Sequence, residues 1–146
     1  MIIDFQSESK RSGDDFENRV LKDLSDRGFK NIKQNIFMYG SGCEVDFVAD
    51  NKEYVEAKGG YDGDGKRPGA KRTDNVKKAV ANAALIKVYY PDIYYVAYFS
   101  SRPVPSSSSD QMIKAALKGK IIDEVRYIEM TDQITIDDFL PLEIKI

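Results

Sequence analysis

Between Cys43 and Gly60 the chain reads CEVDFVADNKEYVEAKGG, two short alternating runs on either side of a polar turn. Alternation with period two is a strand signal, and a polar turn between two such runs makes a hairpin. The second run is unusual for a half-buried strand. Glu56 and Lys58 are separated only by Ala57, so they project from one face together with Tyr54. An acid and a lysine thus occupy positions where apolar side chains would be ordinary. Register decides whether Asp46 joins them. With Asp50-Asn51-Lys52 as a three-residue loop, Ala49 pairs with Glu53 and Asp46 lies opposite Glu56 on the same face. A two-residue loop sends Asp46 to the other face. Three-residue loops are common, and Asp and Asn suit them. In that register two carboxylates come within reach of one hard cation. Mg²⁺ suits such a site, since it takes one or two carboxylates and completes its shell with water and phosphate oxygens.

The rest of the chain narrows the chemistry. At 146 residues it is long enough for one domain with a core and too short for two. No histidine is present, which removes histidine-metal nucleases, Ser-His-Asp hydrolases and His zinc sites. Catalysis is left to carboxylates, lysine, tyrosine and water. The single cysteine, Cys43, cannot form an internal disulfide, and cytoplasmic residence is the default expectation. No apolar run of about 18 residues predicts a membrane span. The net charge of −2 hides an asymmetry: residues 59–90 hold seven basic side chains against three acids. A basic patch beside an acidic hairpin is the footprint expected of an enzyme acting on DNA.

The spacing Asp46, nine residues, then Glu56-Ala57-Lys58 resembles the core motif of PD-(D/E)XK nucleases, with Val45 in place of the proline that often opens the motif. The resemblance is nearest to archaeal Holliday-junction resolvases and Mrr-like restriction nucleases, and runs from Phe16 to Gly60. It implies a single restriction-endonuclease-like α/β domain over residues 1–146, with a central mixed sheet flanked by helices. It implies catalytic roles for Asp46, Glu56, Lys58 and Glu17, the last from the helix before the hairpin. Asp46, Glu56, Glu17 and the Ala57 carbonyl would bind Mg²⁺, with Mn²⁺ able to substitute. The loop serine of resolvases corresponds to Ser41, which also reads simply as a turn residue. Lys78 and Asn82, on the following helix, match the lysine or amide that assists the site in this fold.

In chain order, residues 1–12 read as a loosely tied polar arm. Gly13 or Asp14 caps a first helix over 14–27, with Phe16, Val20, Leu21 and Leu24 as its apolar stripe and Gly28 as its stop. Glu17 borders that stripe, where it can face the sheet or solvent. A ragged first strand covers 29–39. Cys43, Val45, Phe47 and Ala49 are expected on the face opposite Asp46. Five of the ten glycines fall between residues 59 and 69, a loop beside the site carrying Lys66, Arg67, Lys71 and Arg72 as DNA-binding candidates. A second helix over 75–90, capped by Asp74 or Thr73, has Val76, Val80, Ala83, Ala84 and Val88 as its inward stripe. Lys77, Lys78 and Asn82 near its start extend the DNA-binding set. Residues 93–99 are apolar on both faces, as a central strand is. The tyrosines from Tyr89 to Tyr98 serve either the core or a base-stacking platform. A serine-capped helix over 110–118 and a strand within 121–130 follow, and 131–146 are not placed.

These readings predict a Mg²⁺-dependent endodeoxyribonuclease, a small site-specific restriction or homing type, acting as a homodimer or higher homo-oligomer if it cuts both strands. A junction resolvase or structure-specific repair nuclease is the alternative. A catalytically inactive DNA-binding module, a toxin domain and an RNase are others.

Overall fold

The computed structural model describes residues 5–60 and 69–130, with side chains from residue 12 onward. Helix α1 (Phe5–Asp26) leads into a meander of three strands, β1 (Ile32–Met38), β2 (Cys43–Ala49) and β3 (Glu53–Lys58). A 3-10 turn (Gly69–Lys71) precedes α2 (Thr73–Tyr89), then come β4 (Tyr94–Phe99), α3 (Ser108–Lys118) and β5 (Glu124–Tyr127). The sheet has five strands in chain order. β1, β2 and β3 are antiparallel neighbours, while β3, β4 and β5 run parallel. A parallel step needs a crossover, and α2 and α3 supply the two crossovers. This is the expected α/β domain: a mixed sheet with helices on both faces.

Each face has its own core. Phe16, Val20 and Leu24 of α1 close over Phe47, Ala49, Val55, Val96 and Tyr98. Val76, Ala79, Ala83 and Ile86 of α2, with Ile113 and Ala116 of α3, cover Val45, Val48, Tyr95, Ala97 and Phe99. β4 contributes to both cores, as its unbroken apolar run predicts for a strand covered on both faces. Among the described residues, no helix is long and apolar enough to cross a membrane.

Several local expectations are corrected. The polar arm is helical from Phe5, so Gly13 and Asp14 lie inside α1 and do not cap it. The run QSESKR contains good helix formers and no breaker, and the helix carries through it. Helix α2 starts at Thr73, with Arg72 as N-cap and no side-chain cap bond. Its buried stripe is Val76, Ala79, Ala83 and Ile86, whereas Ala84 and Val88 face outward. The stripe read from the sequence drifted because valines at several angular positions satisfy an apolar period equally well. At α3 the serine run does what was expected: Ser107 caps, accepting the Asp110 N–H at 3.2 Å.

Candidate active site

The hairpin register is the three-residue one, with Ala49 opposite Glu53, Val48 opposite Tyr54 and Phe47 opposite Val55. Asp50 and Asn51 both take positive φ, a conformation their short polar side chains tolerate. The Asp50 carboxylate also accepts the N–H groups of Lys30 and Asn31, which ties the turn to the start of the meander.

The β2–β3 ladder ends at Phe47 and Val55, one residue before Asp46. There β2 changes face. Phe47 and Ala49 join the α1 core, but Val45 and Cys43 join the α2 core. Cys43, Val45, Phe47 and Ala49 therefore do not share a face as their alternation suggested. Opposite the switch, Asn35 of β1 has φ 55° and interrupts the pairing between Gln34–Phe47 and Ile36–Val45. The outer half of the β1–β2 hairpin thereby curls onto α2. The departure frees the Ala57 N–H from ladder pairing, and the Asp46 carboxylate takes it, Oδ2 accepting at 2.7 Å. Asp46 is thus fixed at the point where β2 and β3 separate.

Glu56 is only 2% exposed. Tyr95 Oη donates to its Oε2 at 2.7 Å, and Asn82 Nδ2 donates to its Oε1 at 2.7 Å. Lys58 Nζ stands 3.5 Å from the same Oε1. The Asn82 amide is oriented in turn by the Cys43 thiol, which donates to Asn82 Oδ1 over 3.5 Å. A buried carboxylate held by a phenol, an amide and an ammonium has one rotamer and a defined direction for its remaining lone pairs. Glu17 reaches the same cluster from α1, next to buried Phe16, and is close enough for its charge to act on Asp46. Glu44, which sequence reasoning passed over, adds its negative charge to both Asp46 and Glu17.

Burial pushes the Asp46 carboxyl above the ordinary range, against the opposing effects of the Ala57 N–H and Lys58. Burial does the same to Glu56, opposed by Lys58, Tyr95 and Asn82. Glu17 is raised by burial and by the neighbouring Asp46. Burial and Glu56 push the Tyr95 phenol up, so it stays protonated as a donor. Among the described residues, Lys58 is the cation acting on all three carboxyls.

These shifts carry a stability prediction. A carboxyl whose folded pKa is raised binds more protons folded than unfolded, so its contribution to stability falls as pH rises from the ordinary value through the folded one. Asp46→Asn keeps an acceptor for the Ala57 N–H and removes the charge. The variant should melt above wild type at neutral pH without metal. The gap should close as pH falls through the raised Asp46 value toward about 4, the ordinary carboxyl range. Thermal melts across that range test it, and a gap that widens in acid would refute it.

The other expected residues sit on the β1–β2 turn and at the start of α2. Ser41 completes the β1–β2 turn, donating to the Met38 carbonyl at 2.6 Å and accepting the Cys43 N–H at 3.0 Å. Lys71 ends the 3-10 turn and Arg72 is the N-cap of α2, while Lys77 and Lys78 are exposed on its first turns. Lys66 and Arg67 lie outside the described residues. Gly59 and Gly69 lie on either side of that segment; Gly59 presses against Ser100, and Gly69 against Ser100 and Ser101. A Cβ on Gly59 would lie 2.1 Å from Ser100 Oγ, and one on Gly69 2.5 Å from the Ser101 nitrogen. Glycine is required at both, because the backbones meet there.

Tyr95 is the residue the sequence did not offer. Its signal was a tyrosine in an apolar strand, which needs a buried partner. The partner emerges only from the parallel register that sets Ala97 beside Glu56 and leaves room for the phenol. Among the described residues, no three carboxylate or thiol groups converge into a ready metal cage. The donor set still fits a hard cation of the Mg²⁺ kind, held by one or two carboxylates and otherwise by water and substrate oxygens. No protein-family model matches the chain, and comparison with curated proteins finds no match.

Proposed function

We propose that the chain is a metal-dependent endonuclease of the PD-(D/E)XK type, acting on DNA. The observation that supports this best is the convergence of Asp46, Glu56 and Lys58 around the C-terminal end of β3, with Glu17 arriving from α1. Carboxyls with raised pKa values around a single lysine suit a divalent cation and a phosphate, which together balance the charge. Bound there, Mg²⁺ or Mn²⁺ supplies Lewis acidity toward the scissile phosphate and acidifies a water. Asp46 and Glu56 would hold the ion, and Glu17 would add negative charge nearby. Lys58 stands where it can orient the attacking water and stabilise charge developing on the phosphate. Asn82 and Tyr95 keep Glu56 in place throughout. Arg72, Lys77 and Lys78 offer a basic surface at the start of α2 for the backbone of the substrate. A homodimer places two such sites on two strands.

Burial of Glu56, with both oxygens hydrogen-bonded, favours a second reading: a DNA-binding module without chemistry. Supercoiled plasmid, a four-way junction and RNA, each incubated with Mg²⁺ and with chelator, separate the two. Metal-dependent nicking of DNA is the expected result. Intact substrates under every condition, with DNA bound, would replace the nuclease by the binding module.

Metal should also stabilise the fold. A ligand of the native state at a hundredfold excess over its Kd adds about 2.7 kcal/mol. Mg²⁺ should raise the melting temperature of wild type and leave Asp46→Asn unmoved. Equal gains in both proteins would place the ion elsewhere.

A further inference from the structure

At the other end of β3 from Lys58 the surface holds a hollow of about 450 Å³, lined by Lys52, Tyr54, Tyr89, Tyr90, Ile93 and Tyr94 among others. Four tyrosines around one hollow is more aromatic surface than the core uses at that end. Tyr95 and Tyr98 are buried and committed, whereas Tyr89 is 61% exposed and Tyr94 42%. The rings are held in place. Tyr90 Oη donates to the Tyr39 carbonyl at 2.9 Å, and Tyr94 Oη donates to Glu124 at 2.7 Å. Tyr89 lies over Gly40, where a Cβ would come within 3.2 Å of its ring. With two hydroxyls engaged in the fold, what Tyr90 and Tyr94 offer a ligand is the ring surface. Exposed Lys52, on the β2–β3 turn, adds a cation at the rim, and Asp92, on the α2–β4 turn, adds an acceptor.

We infer that this hollow binds an unpaired nucleobase of a nucleic-acid strand. Fixed aromatic rings stack on a base face, which only an unstacked base exposes. Lys52 is placed for the adjoining phosphate, and Asp92 can accept from an exocyclic amino group. The hollow is distinct from the catalytic cluster: Lys52 stands just before β3 and Lys58 ends it, and the strand between them spans about 17 Å. The inference rests on the nuclease reading only in taking nucleic acid as the substrate, and it adds a preference for DNA with unpaired bases, such as a fork, flap or branch.

The test is binding in chelator, where no cutting occurs, of a deoxycytidine oligonucleotide of about twelve residues and of an abasic strand of equal length. Wild type should prefer the base-bearing strand. Tyr89→Ala should weaken that strand about tenfold and leave the abasic one unchanged, while Tyr89→Phe, which keeps the ring, should bind as wild type. Lys52→Ala should weaken both strands and flatten the log-salt slope by about one unit. Tyr89→Ala should nick intact duplex plasmid at the wild-type rate. Equal affinity for the two strands, or Tyr89→Ala retaining the preference, would overturn the inference. So would a proline-rich peptide that occupies the hollow in a protein that ignores the oligonucleotide. Loss of cleavage in wild type, with base preference intact, would overturn the nuclease reading alone.

Discussion

Lys58→Ala and Asp46→Asn should each fold, bind DNA and fail to cut it. Lys58 Nζ sits 3.5 Å from Glu56 Oε1 at the end of β3, where it would meet the reacting phosphate. Removing a group that acts on developing charge costs about 10²–10³-fold in the chemical step. It takes away one transition-state contact and little ground-state affinity, so Kd should stay within a few-fold. Asp46→Asn retains an acceptor for the Ala57 N–H but loses the negative charge proposed to hold the metal, and its cleavage should fall at least as far. The contrast is Arg72, Lys77 and Lys78 changed together to alanine. Those side chains are exposed at the start of α2. That protein should bind all sequences more weakly, with a log-salt slope flatter by up to about three units if each touches a phosphate. Its cleavage should recover at high protein concentration. Single-turnover cleavage beside salt titrations of binding decides the matter. A Lys58→Ala protein that cuts at the wild-type rate would remove Lys58 from the mechanism.

Arg126→Met should cost the fold about 3–5 kcal/mol, against a typical domain stability of about 5–15 kcal/mol. Arg126 is nearly buried on β5 and grips Glu53 of β3 with two parallel bonds, Nη1 to Oε1 at 2.8 Å and Nη2 to Oε2 at 2.7 Å. Its Nε donates to Glu124. Nη1 also donates to Tyr98 Oη at 2.8 Å, and that hydroxyl donates to Asp23 of α1 at 2.6 Å. One guanidinium therefore joins β3, β4 and β5 to α1. Without it, Glu53 is left largely buried and unpaired, which is where the cost arises. Arg126→Met with Glu53→Leu should recover most of the loss, since the uncompensated charge goes too. The network lies at the Glu53 end of β3, so cleavage per folded molecule should not change. Denaturant unfolding measures both variants. A loss in Arg126→Met no larger than that of a surface substitution would show that the network contributes little.

The hairpin shows how far local pattern reaches. Asp50, Asn51 and Lys52 specify a three-residue loop because Asp and Asn accept positive φ, and the loop alone decides that Ala49 meets Glu53. Glu56 and Lys58 share a face by the period of two. The order of helices and strands was equally legible, since each apolar run has its own length and boundary. The start of α1 was not, because Phe5 to Arg11 is mostly polar and lacks the apolar stripe by which the rest of the helix was read.

Only the tertiary structure decided the position of Asp46. Alternation places Cys43, Val45, Phe47 and Ala49 on one face, but the strand turns over at Asn35 and Asp46, where pairing gives way to curling around α2. No local period encodes that turn, because its driving force is burial of Val45 and Cys43 against a helix that arrives thirty residues later. The partners of Glu56 are likewise a matter of assembly. Asn82 and Tyr95 lie 26 and 39 residues beyond it; Tyr95 meets it through the parallel register of β3 and β4, and Asn82 comes from α2, the crossover between those strands. Which acid, lysine and turn this chain carries follows from the sequence alone. The depth at which Glu56 is buried, and the donors that make that burial tolerable, follow from the packing of α2 and β4 on β3, a placement that is non-local.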